Sequence, residues 1–298
     1  MSLHAPETAA DVHAIPRRFV VLGLVVVAIV LLGGLVLIRN NSGGNMPTQA
    51  ETFSAAPQSL LQSLAQIPTP VADAVGAGDA DGAVAVDPPI ATNNSSLWVT
   101  TDPDGTTLPV VFFYGAEFAP YAAAERWPVI VALSRFGTFD NVGLMQSSSS
   151  VAFPNIATFT FSHATYHSRW VDLEMVERYN ADDVTGAGYG TLNALTSREA
   201  ASVSVYDTSS SAFPLLDVAN HFALAGASFP PSILAGLSQT QIAGDLAYAA
   251  SPVTEAVVAS ANEITAAICA VTDQNPDAAC EARGVLAADQ KMGLQKAG

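Results

Sequence analysis

Apolar and polar positions follow two regimes along this chain. Phe19 to Ile38 (FVVLGLVVVAIVLLGGLVLI) is a run of 20 residues without a charge. At a helical rise of about 1.5 Å per residue, a run of that length matches a hydrocarbon layer about 30 Å thick. It predicts a transmembrane helix. No small-x-small cleavage site follows at Ile38-Arg39-Asn40-Asn41, which separates it from a cleaved signal peptide. Arg17 and Arg18 precede the span, Arg39 follows it, and the next base is Arg126. The positive-inside rule then puts a cytoplasmic tail at 1–16, the span at 17–39 and the bulk of the chain outside the plasma membrane. Residues 40–57, polar and rich in Gly and Pro, read as a linker to an extracytoplasmic domain at 58–298.

Beyond the linker the pattern becomes that of a folded domain. Leu60, Leu61, Leu64 and Ile67 share one face of a short helix over Pro57–Ile67. Gly76–Gly82 reads as a turn-rich loop, and Ser147–Ser150 as a flexible one. Leu108–Tyr114 (LPVVFFY) is apolar at every position, the mark of a strand buried on both faces. An Ala-rich helix opening near Pro120 follows and runs to about Arg135, with Pro128 inside it and Gly137 as its stop. Asn155–Phe161 alternates as a strand. Ala212–Ala219 and His221–Ala225 form a strand pair around Asn220. Gln239–Ala250 reads as a helix. A last helix, opened by Ser251-Pro252, aligns Val257, Ala261, Ile264, Ile268 and Val271. The order predicts an α/β fold, a mixed sheet flanked by helices.

Charge and chemistry narrow the function. The net charge of −16 disfavours nucleic acid as a partner. No nucleophile–base–acid arrangement and no phosphate-binding glycine loop occurs, so no cofactor is expected. His163 and His167 are four apart, but a metal site needs further ligands and Glu174 is the one candidate, so no metal is expected. Glu125, Arg126 and Trp127 read as structural: paired charges and a core ring. Cys269 and Cys280, with ten residues between them on the outer side of a membrane, suit a disulfide; a displaced redox pair is the alternative.

The strand and helix at 108–135 resemble thioredoxins, whose buried strand leads to Ala-Glu-Trp-Cys-x-x-Cys. Here Ala116, Glu117, Phe118, Ala119, Pro120, Tyr121 and Ala122 stand at those positions. Phe213-Pro214-Leu215-Leu216-Asp217-Val218 resembles the family's strand opened by a cis-proline, and Leu237–Ile242 the start of its last helix. A closer resemblance is to the thioredoxin-like family known as domain of unknown function 929. It rests on Phe113-Tyr114-Gly115-Ala116-Glu117, Pro120-Tyr121, Glu125-Arg126-Trp127, Ala132–Phe139 and Ala261–Cys269 with Pro276 and Cys280, and it covers roughly 60–283.

This resemblance implies a thioredoxin-like sheet with an insertion at about 163–211. It also implies a degenerate CxxC in which Ala119 and Ala122 replace both thiols. Thiol–disulfide exchange needs an attacking thiolate and a resolving thiol, and alanine supplies neither. The expectation is a redox-inactive module, not an enzyme at that motif. A groove of Phe118, Pro120, Tyr121, Phe213 and Pro214 would bind a polypeptide or an envelope membrane protein. The alternatives are a thiol–disulfide oxidoreductase or isomerase using Cys269 and Cys280, and a structural subunit of a membrane complex.

Overall fold

The structure is a computed structural model that describes residues 53–78, 84–94, 96–101, 103–183, 186, 188–206 and 213–294. The cytoplasmic tail and transmembrane helix expected from the sequence, and linker residues 40–52, lie outside the described residues.

Two short helices, α1 (Gln58–Ala65) and α2 (Thr69–Val75), lead into strands β1 (Ile90–Ala91), β2 (Val99–Thr101) and β3 (Thr107–Gly115). The leucine pattern holds in α1, which buries Leu61 and Leu64. Helix α3 (Pro120–Leu133) follows β3, and four short strands come next: β4 (Gly137–Asp140), β5 (Gly143–Gln146), β6 (Ala157–Thr160) and β7 (Thr165–Ser168). Then come β8 (Asp172–Glu177), α4 (Ser197–Tyr206), and the hairpin of β9 (Leu215–Val218) and β10 (Phe222–Ala225). Helices α5 (Gln239–Asp245), α6 (Pro252–Val271), α7 (Asp277–Cys280) and α8 (Arg283–Met292) complete the domain.

The sheet is built on β3. Strand β8 pairs with Val110–Gly115 in parallel, and β9 pairs with Val111–Tyr114 antiparallel. Both engage the same residues, so they lie on opposite edges of β3. Strand β10 continues beyond β9, and β1 beyond β10. The β9–β10 turn is tight because Ala219 and Asn220 both take positive φ (53° and 63°), and the Asn220 amide donates to Asp217 Oδ1 at 2.7 Å. Asp217, fully buried in β9, also accepts from Ser202 Oγ at 2.6 Å, which ties α4 to the sheet.

Successive residues of β3 serve opposite faces, as the period of a strand requires. Val111 and Phe113 join a large core with Trp127 and Ile130 of α3 and Val257 and Ile264 of α6. Val110, Phe112 and Tyr114 join a smaller core with Trp98, Val203 and Phe213. The sequence pattern gave α6 one apolar face, yet the helix is buried on nearly all sides. Among the described residues it is the helix long and apolar enough to cross a membrane, but 89% of its apolar window is buried inside the domain. Its Asn262 and Thr265 side chains accept from Arg135, both at 2.8 Å.

Four expectations change. The strand predicted at 155–161 is β6, which pairs with β5 outside the main sheet. The parallel neighbour of β3 is β8, inside the stretch 163–211 that was expected to be an insertion. Its sequence, DLEMVE, carries three acids and lacks the apolar signature of a buried strand. The nested pairs β4–β7 and β5–β6 instead occupy 137–168, between α3 and β8. Helix α3 stops at Leu133, before Gly137. That glycine opens β4, where a Cβ would come within 2.3 Å of the His167 carbonyl oxygen. Helix α5 ends at Asp245, five residues short of the predicted end, although its start carries the reciprocal Ser238–Gln241 cap.

The Cys269 and Cys280 sulfurs are bonded, joining the end of α6 to α7. Replacing both by serine is expected to lower the unfolding free energy by about 2–3 kcal/mol for a loop of this size in the chain-entropy model. Urea titrations of the two proteins measure the difference. An unchanged midpoint would show that the crosslink adds nothing.

Candidate binding site at the start of helix α3

Strand β3 delivers the chain at Gly115 into the loop Ala116–Ala119, and Pro120 starts α3 at a position where its missing N–H costs nothing. Gly115 has no room for a side chain: a Cβ would come within 2.7 Å of the Phe113 ring and 3.2 Å of Glu177 Oε2. Ala119 is the helix N-cap and offers no capping side chain. Its methyl group and that of Ala122 are buried in the smaller core beside Phe213. The two positions compared with cysteines are therefore packed hydrocarbon.

Phe118 stands at the centre of an aromatic group. Its ring stacks on Tyr189 with centroids 4.0 Å apart and planes 7° apart. Phe213 meets it edge-on at 5.9 Å, and Tyr179 lies at 6.3 Å. Phe213 also contacts Tyr114 at 4.9 Å and Tyr179 at 6.0 Å. The Phe213–Pro214 bond is cis. Thus Phe118, Phe213 and Pro214 come together, with Pro120 half-buried nearby. Tyr121 turns elsewhere: it is 43% exposed and meets Phe153 at 6.2 Å.

Tyr179, Tyr189 and Phe153 were missed by reading the sequence. They sit in loops, and the available signal was an aromatic residue inside a glycine run, as in Gly186-Ala187-Gly188-Tyr189-Gly190. Ser147 and Ser148, expected in a flexible loop, are buried. The Ser148 amide donates to the Phe118 carbonyl at 3.1 Å, and Tyr189 Oη donates to Ser148 Oγ at 3.1 Å.

Buried charges fix this loop from below. Arg126 of α3 and Glu177 of β8 are both fully buried. Arg126 Nε donates to Glu177 Oε1 at 2.8 Å and Nη2 to Oε2 at 2.6 Å. Nη2 also donates to the Ala116 carbonyl at 3.1 Å. Glu117 is buried as well; its amide donates to the Tyr179 carbonyl at 2.9 Å and its carboxyl accepts from Thr160. Burial raises its pKa above the ordinary carboxylate value. Trp127 is core, and its Nε1 donates to the Ala157 carbonyl at 3.0 Å.

The family described as Domain of unknown function (DUF929) matches residues 102–270, more than half of the chain. The chain belongs to the DUF929 family. Comparison with curated proteins and with solved structures returned no match. The DUF929 match runs from just before β3 to the end of α6, so it includes the whole aromatic group and the Arg126–Glu177 pair. It is narrower than the 60–283 read by resemblance, and it takes in Cys269 but not Cys280.

Other candidates disperse across this DUF929 domain. His163 follows β6, and His167 lies in β7 with Nε2 3.5 Å from Asp140. Glu174 lies in β8 among Glu199, Asp172 and Arg198. Among the described residues no three His, Cys, Asp or Glu side chains are grouped to hold a metal ion. Glu125 is fully buried, and the Ser228 amide and hydroxyl donate to its two oxygens at 2.7 and 3.0 Å. Burial pushes its pKa up to about 8. Glu263 of α6 is pushed up to about 7 by burial, although Lys291 Nζ donates to it at 2.7 Å.

Two predictions follow from these charges. Arg126→Met is expected to cost about 3–5 kcal/mol of stability, because it leaves the Glu177 carboxylate buried and unpaired. Adding Glu177→Leu should recover much of that loss. If the double variant is no more stable than the single one in denaturant titration, the pair is not what the mutation breaks. Glu125 has a folded pKa above its unfolded one, so its contribution is fully present below the ordinary carboxyl pKa and is lost as pH rises through about 8. The melting temperature should therefore fall between about pH 5 and pH 9, and fall less in Glu125→Gln. Equal slopes for the two proteins would contradict this.

Proposed function

We propose that this protein is a membrane-anchored, extracytoplasmic module with a thioredoxin-like domain that binds an extended segment of another envelope protein and does no thiol chemistry at the start of α3. The order of elements supports the thioredoxin-like reading: β3, α3 and the parallel β8 form one unit, and the β9–β10 hairpin and α6 follow. The uncharged run at 19–38 supports the anchor, and Arg17 and Arg18 before it support a domain on the outer face of the plasma membrane.

The observation that carries the binding reading is the meeting of Phe118 with Phe213 at the helix entry, flanked by Tyr179 and Tyr189. Aromatic rings offer large contact area at small cost in side-chain entropy. Pro120 and Pro214 border this group, while exposed Tyr121, next to Pro120 in the chain, turns toward Phe153. Ala119 and Ala122 leave no nucleophile among them.

A photo-crosslinker at position 121 of the full-length chain in membranes tests this. Capture of a defined protein that weakens in Phe118→Ala and Phe213→Ala variants is the expected outcome. If nothing is captured and those substitutions change no association, the proposal fails. Insulin reduction by the purified chain, abolished by Cys269→Ser, would instead establish an oxidoreductase. A stable membrane complex unaffected by either aromatic substitution would establish a structural subunit.

A further inference from the structure

A line of hydrogen-bonding side chains runs from Glu117, the residue before Phe118, to the surface at His163. At its inner end Thr160 Oγ1 bonds Glu117 Oε1. Ser162 Oγ is 3.0 Å from Thr160 Oγ1, and His163 Nδ1 is 3.0 Å from Ser162 Oγ. Glu117 and Thr160 are buried, Ser162 is half-buried and His163 is exposed, packed on the Phe53 ring at 4.8 Å.

Counting protons shows how this line operates. A hydroxyl has one proton to give and two lone pairs. With Glu117 ionised, Thr160 gives its proton to the carboxylate. One Thr160 lone pair takes the Ser162 amide proton at 3.1 Å, and the other takes the Ser162 hydroxyl proton. Ser162 Oγ must then accept from His163, which requires a proton on Nδ1. With Glu117 neutral the polarity reverses: Glu117 donates to Thr160, Thr160 to Ser162, and Ser162 to a bare Nδ1. The same heavy-atom positions serve both states.

We propose that Glu117 exchanges its proton with solvent through Thr160, Ser162 and His163. In uptake, a hydronium ion or buffer acid protonates His163 Nε2. The Nδ1 proton passes to Ser162 Oγ, the Ser162 proton to Thr160 Oγ1, and the Thr160 proton to Glu117 Oε1. Each hydroxyl gains one O–H bond and loses one. The imidazole ends neutral with its proton on Nε2, and one proton has moved from solvent to the carboxyl. Release is the reverse.

The groups facing Glu117 are Arg126 from α3, Glu177 from β8 and His163 from the turn after β6. Burial favours the neutral acid and Glu177 adds to it; the Thr160 bond, Arg126 and His163 oppose them. The charge next to Phe118 thus follows the pH outside the domain. This path does not depend on what the aromatic surface binds.

Infrared spectroscopy of the full chain after a rapid pH drop tests it. The protonated-carboxyl band that is absent from Glu117→Gln reports on Glu117 alone. Ser162→Ala leaves Glu117 and its bond to Thr160 in place and should slow the appearance of that band by about tenfold or more, with its final amplitude unchanged. Ser162→Thr should restore the rate. Equal rates in Ser162→Ala and the parent chain, or no titrating Glu117 band in the parent chain, would overturn the proposal.

Discussion

Arg126 and Glu177 meet in the interior, one on the helix that opens the site and the other at the end of the parallel strand beside β3. Removing two charges from water costs several kcal/mol per ion, and a looser contact would not offset that cost. The offset comes from the two-pronged geometry, together with the bond to the Ala116 carbonyl and the one from the Phe161 amide to Glu177 at 3.3 Å. These bonds hold α3, β8, the loop at 116–119 and the end of β6 in one arrangement. Glycine at 115 belongs to the same constraint, since a side chain there would strike the carboxylate and the Phe113 ring.

Above this pair the site has two unlike layers. The lower one is polar, with Glu117, Thr160 and the Arg126–Glu177 pair. The upper one is aromatic, with Phe118 between Tyr189 and Phe213. Alanine at 119 and 122 lets the layers approach, because a methyl group needs no hydrogen bond and fits a core that a thiolate would not. Both methyl groups are buried among apolar neighbours, where they bring no polar atom that would need a partner.

Much of this was legible in the sequence. The all-apolar β3, the proline at the head of α3 and the β9–β10 pair stand out because burial on both faces and tight turns demand particular residue types. Phe118 and Phe213 were recognisable as neighbours through the family resemblance. What escaped notice was what long-range pairing hides. Strand β8 reads as polar until Arg126, 51 residues away in sequence, neutralises Glu177. The alternation at 155–161 is a true strand signal, but periodicity does not say which sheet a strand joins. Tyr189 and Phe153 belong to loops, where no periodicity marks their partners.

The all-round burial of α6 has a consequence before folding is complete. On the proposed topology the domain would cross a bilayer as an open chain, and a 20-residue apolar segment would then be a hazard, since a channel can release it sideways into lipid. Glu263 near its middle weighs against that escape: an acidic side chain at the centre of a candidate span costs about 3 kcal/mol on insertion scales. In the finished domain that same glutamate is a buried acid partnered by Lys291, so on that topology a residue poorly suited to the core would guard the route by which the core is assembled.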